Sequence, residues 1–325
     1  MFQLVYDIMP YALMFTAPLL LAALGGLVSE RSGVVNIALE GIMVVGAFVS
    51  AIFIYYLFKT PDDYYIVWLA LLCSGIVGML FSSLHAFASI NLSANQVISG
   101  TALNMMAPAL TIFFAKKLTT TQNVTIVQSI KRQTIDGEGI IPFNLSEIPI
   151  VGKMFFTNAY LSTLIVLIIF LLLWYVLFKT SFGMRLRACG ENPSAADSTG
   201  INVKAMRYIG VLTSGFLAGL GGGVYVLTVA GEFTGSVDGL GFLGLGALIF
   251  GKWKPFNVLG AAFFFGFTKT LASVSPVNET LRNFNLPMEF YNAIPYVITI
   301  IALVIFSSNA VGPKAAGEPY DKGKR

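Results

Sequence analysis

Charge is what this sequence has least of. Asp, Glu, Lys and Arg make up 11% of the 325 residues, while 56% are hydrophobic; an ordinary soluble domain carries about 25% charged residues. A chain so poor in charge could not cover a water-facing surface, which excludes a soluble globular fold. Cysteine is nearly as scarce. Cys73 lies in an apolar run and Cys189 in a polar loop far along the chain, so a disulfide framework has no support and both read as free thiols. His85 is the only histidine and has no cysteine or acidic neighbour at ligand spacing, which leaves a metal site and an acid-base catalyst without support. Residues 1–10 carry Asp7 but no Lys or Arg. The basic start of a cleaved signal peptide is therefore missing, and the first apolar run is expected to stay in the mature protein. The net charge of +4 sits mostly in loops and points to no nucleic-acid partner.

What is present is a series of apolar runs of membrane length. Leu161 to Phe178 is apolar but for Ser162 and Thr163 near its start, close to the roughly 20 residues a spanning helix needs. Barrel strands would instead show short alternating segments. The expected fold is all-α, a polytopic transmembrane helical bundle in the lipid bilayer, because backbone exposed to lipid must satisfy its own hydrogen bonds. Polar and Pro/Gly punctuation gives nine candidate spans, at 10–28, 33–57, 64–90, 95–117, 158–180, 205–230, 237–252, 255–275 and 288–308. They form one transmembrane domain over 1–308, with a long extracytoplasmic loop at 118–157, a charged loop at 181–204 and a cytoplasmic tail at 309–325. Placing loop 181–204 inside puts twelve of the 20 Lys and Arg on the cytoplasmic side. Five of the eight outside flank or occupy the long loop, where charge directs orientation less strongly. The N-terminus is expected outside and the C-terminus in the cytoplasm of a bacterial inner membrane.

Within loop 181–204, residues 191–200 read as a short isolated helix. Asn192 can cap the orphan N–H groups, Pro193 suits the first helical position and Gly200 suits a left-handed stop. Small residues in between give a slim projection; a well-ordered loop is the plainer reading of the same pattern. Here the residues carry a resemblance. Gly183-Met-Arg-Leu-Arg-Ala-Cys-Gly-Glu-Asn-Pro-Ser-Ala-Ala-Asp-Ser-Thr-Gly-Ile201 resembles the coupling loop of ATP-binding-cassette (ABC) importer permeases of the ribose and branched-chain amino acid family. Glu30-Arg-Ser-Gly-Val-Val-Asn-Ile-Ala-Leu-Glu-Gly41 and Ser214-Gly-Phe-Leu-Ala-Gly-Leu-Gly-Gly-Gly223 agree, the first being most similar to the nucleoside and simple-sugar branch. Sugar permeases of that family usually carry a further N-terminal helix ahead of the first span read here.

The resemblance implies that Glu191, Asn192, Pro193, Ser194, Ala195, Ala196, Asp197 and Gly200 couple the chain to ABC ATPase subunits. It also implies a second permease subunit, identical or paralogous, and an extracytoplasmic solute-binding lipoprotein. No cofactor is implied. Nucleosides rank first as solute, simple sugars second and branched-chain amino acids third.

The chain holds no nucleotide site of its own. Gly246 to Trp253 matches phosphate-loop spacing until Trp253 replaces the hydroxyl that would bind magnesium. Gly239-Leu-Gly241-Phe-Leu-Gly244 matches the dinucleotide fingerprint by letter, but no βαβ unit surrounds it. Glycines at four-residue spacing, Gly215, Gly219 and Gly223, instead suggest close helix approach.

Glu40 follows Gly33 by about 10 Å of helix axis, and an ionised carboxylate left alone there would cost roughly 2.5–3.5 kcal/mol. It must face protein or water. One reading pins two helices together; the other places Asn36 and Glu40, with Asn95, Gln96 and Asn104 of the fourth span, along a translocation pathway. Lys269 reads as snorkelling to the outer surface, and Phe233, Phe242 and the Phe263–Phe265 run could stack a planar base. The rival class is an ion-driven secondary transporter, for which Glu40 alone is thin support; a receptor or scaffold would leave the capped projection without a purpose.

Overall fold

In the computed structural model the described residues are 2–60, 64–126, 160–274 and 312–321, with scattered positions between 287 and 304. The apolar runs become helices, as backbone without water must. In chain order these are α1 (Phe2–Arg31), α2 (Leu39–Leu57), α3 (Tyr64–Ala86), α4 (Gln96–Thr119), α5 (Leu161–Lys179), α6 (Ser181–Glu191), α7 (Pro193–Ser198), α8 (Val203–Tyr225), α9 (Leu240–Phe250) and α10 (Pro255–Val274). Widened π-helical turns extend α3 over Phe87–Asn91 and α8 over Val226–Ala230. The only strands among the described residues are β1 (Val124–Thr125) and β2 (Glu232–Phe233), which pair antiparallel.

Among the described residues six helices are long and apolar enough to cross a membrane. The chain is a helical membrane bundle. The expected count of nine spans is not reached by the described residues: α9 has only 11 residues, and most of 288–308 lies outside them, as do residues 127–159 of the long loop. Other boundaries differ from expectation, and the first helix runs from Phe2 to Arg31 rather than over 10–28. The second span starts at Leu39 rather than residue 33, leaving 33–38 non-helical, and loop 181–204 holds two helices broken at Asn192 instead of one.

At the centre sits α8, packed by α1, α2 and α3. Its glycines make this possible. A Cβ on Gly78 of α3 would fall 2.7 Å from the Cα of Gly219, and Gly46 of α2 lies against the Gly219 carbonyl from another side. Close backbone approach of this kind drives helix association in lipid, where apolar burial gives no net gain. Burial grades outward: 94% of the α1 spanning window is inside the bundle, but only 22% of those of α4 and α5, so α4 and α5 form the periphery.

Candidate functional site

Helix α1 stops at Gly33, whose φ of +98° is a left-handed position suited to glycine. The chain then runs back into the bundle without helical hydrogen bonds. Backbone groups stranded at membrane depth are costly, and here side chains from other helices answer them. Gln96 Oε1 accepts the Val35 N–H at 2.7 Å, and His85 Nε2 lies 2.9 Å from the Val35 carbonyl. Facing a carbonyl, Nε2 carries the proton, which leaves Nδ1 to accept from the Ser99 hydroxyl at 2.9 Å. Asn104 bridges the segment to the start of α2, donating to the Ile37 carbonyl at 2.8 Å and accepting the Gly41 N–H at 2.7 Å. Asn36 folds onto its own turn, accepting the Ala38 N–H at 3.1 Å while donating to Ser214 Oγ of α8 at 2.9 Å.

Beside this segment a second helix begins in mid-membrane. The end of α9 is tied to the end of α1, where Trp253 Nε1 donates to Glu30 Oε2 at 2.6 Å and Arg31 Nη2 donates to the Trp253 carbonyl at 2.9 Å. Eleven residues rise about 16 Å, half of the roughly 30 Å hydrocarbon thickness. The N-terminus of α9 therefore lies near the midplane, and Gly244 packs against Ala22 and Ala23 in the middle of α1. Glu40 caps it: Oε1 accepts the Gly239 N–H at 3.0 Å, and Oε2 accepts those of Gly241 at 2.7 Å and Phe242 at 3.3 Å. A carboxylate suits the positive end of a helix, and a half-helix aimed at the midplane is how membrane transporters build polar sites.

Around this junction further polar groups gather. Asp238, with φ +52°, is exposed, and its Oδ2 accepts the Tyr225 hydroxyl at 2.5 Å. The Tyr296 hydroxyl donates to the Asp238 carbonyl at 3.3 Å. Lys269 Nζ lies 5.5 Å from the Tyr296 ring centre and within electrostatic reach of both Asp238 and Glu40. Phe242 stands exposed on the first turn of α9. An exposed carboxylate at this depth has to face a water-filled space.

At the opposite end of α9 sits the α6–α7 hairpin. Thr180 caps α6 by accepting the Gly183 N–H at 3.2 Å, and Asn192 caps α7 by accepting the Ala195 N–H at 3.0 Å, with Pro193 at the first position and Gly200 at φ +85°. Glu191 pairs with Arg31 at 3.4 Å, an exposed contact of about 1 kcal/mol at most. Ser194 and Ala195 are exposed, while Ala196 packs inward with Cys189 and Val203. Burial disfavours the Cys189 thiolate and pushes its pKa up, more than the nearby Arg207 pulls it down.

The profile of the family described as "Branched-chain amino acid transport system / permease component" matches residues 8–303. The chain belongs to this permease family. It is 44% identical to the guanosine ABC transporter permease protein NupQ of Bacillus subtilis, over 99% of each chain. It is 43% identical to the nucleoside ABC transporter permease protein NupC of Lactococcus lactis, over 96% of each. An archaeal relative, the putative glucose ABC transporter permease protein TsgC13 of Haloferax volcanii, is 30% identical over 88% of this chain and 87% of its own. No solved structure matches the chain. As an ABC permease it is a transport subunit, and ATP hydrolysis belongs to partner subunits.

Of the pathway candidates in this permease, Asn36, Gln96 and Asn104 meet around the unwound segment, with Glu40 beside them in the first turn of α2, capping α9, whereas Asn95 caps α4 through the Val97 and Ile98 N–H groups at 2.9 and 3.2 Å. Phe233 is 1% exposed and lies against Phe48, so it is core; Phe265 is buried likewise. Lys269 turns inward to the junction instead of snorkelling outward. Asp238 and Tyr225 were not evident from sequence. The signal was there in Asp238 itself, an acid directly before the apolar run Leu240 to Phe250.

Proposed function

We propose that this permease imports nucleosides as one half of a heterodimeric pathway, driven by ATP hydrolysis on separate subunits. Full-length similarity at 44% and 43% identity to permeases named for guanosine and for nucleosides carries the solute class. Bacillus subtilis and Lactococcus lactis each have a second such permease, NupP and NupB, to which this chain is only 26% and 27% identical. That gap supports a paralogous partner over a second identical copy. A lipoprotein outside the cell delivers the solute, the N-terminus lies outside and the C-terminus in the cytoplasm.

In this reading residues 191–200 dock the ATPase, with Ser194 and Ala195 on the exposed face and the capped turns making the projection stiff enough to transmit force. The route passes the junction of the unwound segment and α9. An uncharged, donor-rich solute suits the open Asp238 carboxylate, with Phe242 available for stacking a base; a phosphorylated nucleotide would bring added negative charge to Asp238 and Glu40 with only Lys269 to offset it.

The test is uptake of labelled guanosine by vesicles holding this chain, its paralogue, the ATPase and the binding protein. Uptake should require ATP and be blocked by unlabelled nucleosides but not by nucleotides or glucose. Uptake driven by an ion gradient without ATP would overturn the mechanism, and competition by glucose alone would overturn the solute class.

A further inference from the structure

Residues 312–321 lie across several other elements at the end of the bundle that carries the α6–α7 hairpin. The Ala315 N–H donates to the Gly190 carbonyl in the last turn of α6 at 2.9 Å. Two residues on, the Gly317 N–H donates to the Gly33 carbonyl, where the unwound segment begins, at 3.3 Å. Gly317 has φ +87°, and a Cβ there would sit 3.6 Å from Val35, so the stretch turns over the segment as it passes. Arg207 Nη1 of α8 donates to the Glu318 carbonyl at 2.8 Å, with the guanidinium 6.0 Å from the Tyr320 ring centre. Tyr320 in turn packs on the cluster of Ala196, Cys189 and Val203. At its near end Gly312 lies against Trp253, at the foot of α9.

Two features make this contact more than a resting tail. Its anchors are backbone hydrogen bonds, which hold the position of the chain and not just of side-chain tips. Arg207 is 1% exposed, and its Nε and Nη2 find no hydrogen-bond partner among the described residues. The Glu318 carbonyl and the Tyr320 ring therefore stabilise a buried cation that would otherwise be poorly compensated. Through Tyr320 the stretch packs on the apolar cluster to which Ala196 of α7 belongs, and through Gly317 it reaches the segment 33–38, which leads to Glu40 and the cap of α9.

We propose that residues 312–321 form a strap that ties the hairpin to the unwound segment, so that displacement of α7 is passed to residues 33–41 and to the mid-membrane junction. The strap rests on the reading that α7 meets the ATPase, but it fails separately from it. Without the strap the hairpin would keep its exposed Glu191 pair, its packing on α1 and the close approach of Cys189 and Gly190 to Gly33, but it would lose the hydrogen bonds that hold its position relative to the segment beyond Gly33.

The test uses the whole importer in vesicles with two variants, Ala315→Pro, which deletes the N–H that reaches Gly190, and Tyr320→Ala, which removes the ring over Arg207. Three quantities are read: ATPase co-purification, ATP hydrolysis, and solute taken up per ATP hydrolysed. Co-purification and hydrolysis should hold near their unmodified values. Uptake per ATP should fall by about fivefold in Ala315→Pro, the factor that one ordinary hydrogen bond is worth, and by about two- to fivefold in Tyr320→Ala, the factor of one cation–π contact at an exposed ring. Unchanged uptake per ATP in both would overturn the strap, as would loss of co-purification in step with uptake. Normal ATPase binding by Ala195→Trp would instead refute the docking reading alone.

Discussion

Replacing Glu40 by Gln separates a structural staple from a working part of the route. Glu40 satisfies three N–H groups at the start of α9, those of Gly239, Gly241 and Phe242. A glutamine oxygen can keep two of them, but its amide nitrogen then faces the third donor. The unanswered N–H costs about 1–3 kcal/mol, and loss of negative charge at a partly buried helix start costs up to about 2 kcal/mol. Against this, the neutral side chain avoids the roughly 2.5–3.5 kcal/mol of holding a carboxylate at membrane depth. The terms cancel within their spread, so Glu40→Gln should reach the membrane in near-normal amounts. Glu40→Ala gains the same relief but strands all three donors, so its yield should drop clearly. Transport should not follow yield. Gly239 adjoins Asp238, and a misplacement of the α9 start costing about 1.4 kcal/mol in the competent population lowers uptake tenfold. Uptake per membrane-inserted molecule, measured for both variants, decides the matter. Equal loss of yield and uptake in Glu40→Gln would reduce Glu40 to a staple, and a Glu40→Ala yield equal to that of Glu40→Gln would refute the capping account itself.

Two further perturbations probe the hairpin. Cys189 is fully buried and its thiolate disfavoured, so an impermeant thiol reagent at neutral pH should leave it unlabelled in folded membranes and modify it after denaturation. In a background lacking Cys73, Ser194→Cys should label in inside-out vesicles and not on intact cells; labelling on intact cells would reverse the orientation. Ala195→Trp should abolish ATPase co-purification while the chain still inserts normally. Ala196→Trp, at a position 4% exposed, should lower the yield of folded chain by about 1–3 kcal/mol of overpacking, and equal behaviour of the two variants would contradict the packing of the hairpin.

How far the sequence carried depended on the range of the forces involved. Helix existence is written in local composition, because a run such as Leu161 to Phe178 has no alternative in lipid, and the membrane bundle was legible from it. Capping is local as well: Asn192, Pro193 and Gly200 sit within nine residues and adopt the roles their chemistry suggests. The glycine spacing on α8 also read correctly, since four-residue periodicity puts Gly215 and Gly219 on one face whatever the neighbour.

The interruption at residues 33–38 was not legible, for a physical reason. Val34, Val35 and Ile37 continue an apolar pattern that suits a spanning helix, and what keeps them unwound lies elsewhere in the chain: Gln96, His85 and Asn104 supply the hydrogen bonds that a helix would have made internally. A polar side chain in a spanning helix looks like a solute contact when its partner is unknown. The same blindness turned Lys269 outward, since snorkelling is the default for a lone lysine and the ring it lies against, Tyr296, is 27 residues later. These polar residues hold an irregular backbone between the end of α1 and the start of α9, and that is itself a precondition for a route. Glu40 can reach the α9 start only because the chain leaves α1 and re-enters helix at Leu39, so a residue such as Gln96 or Asn104 can support the pathway without touching what passes through it.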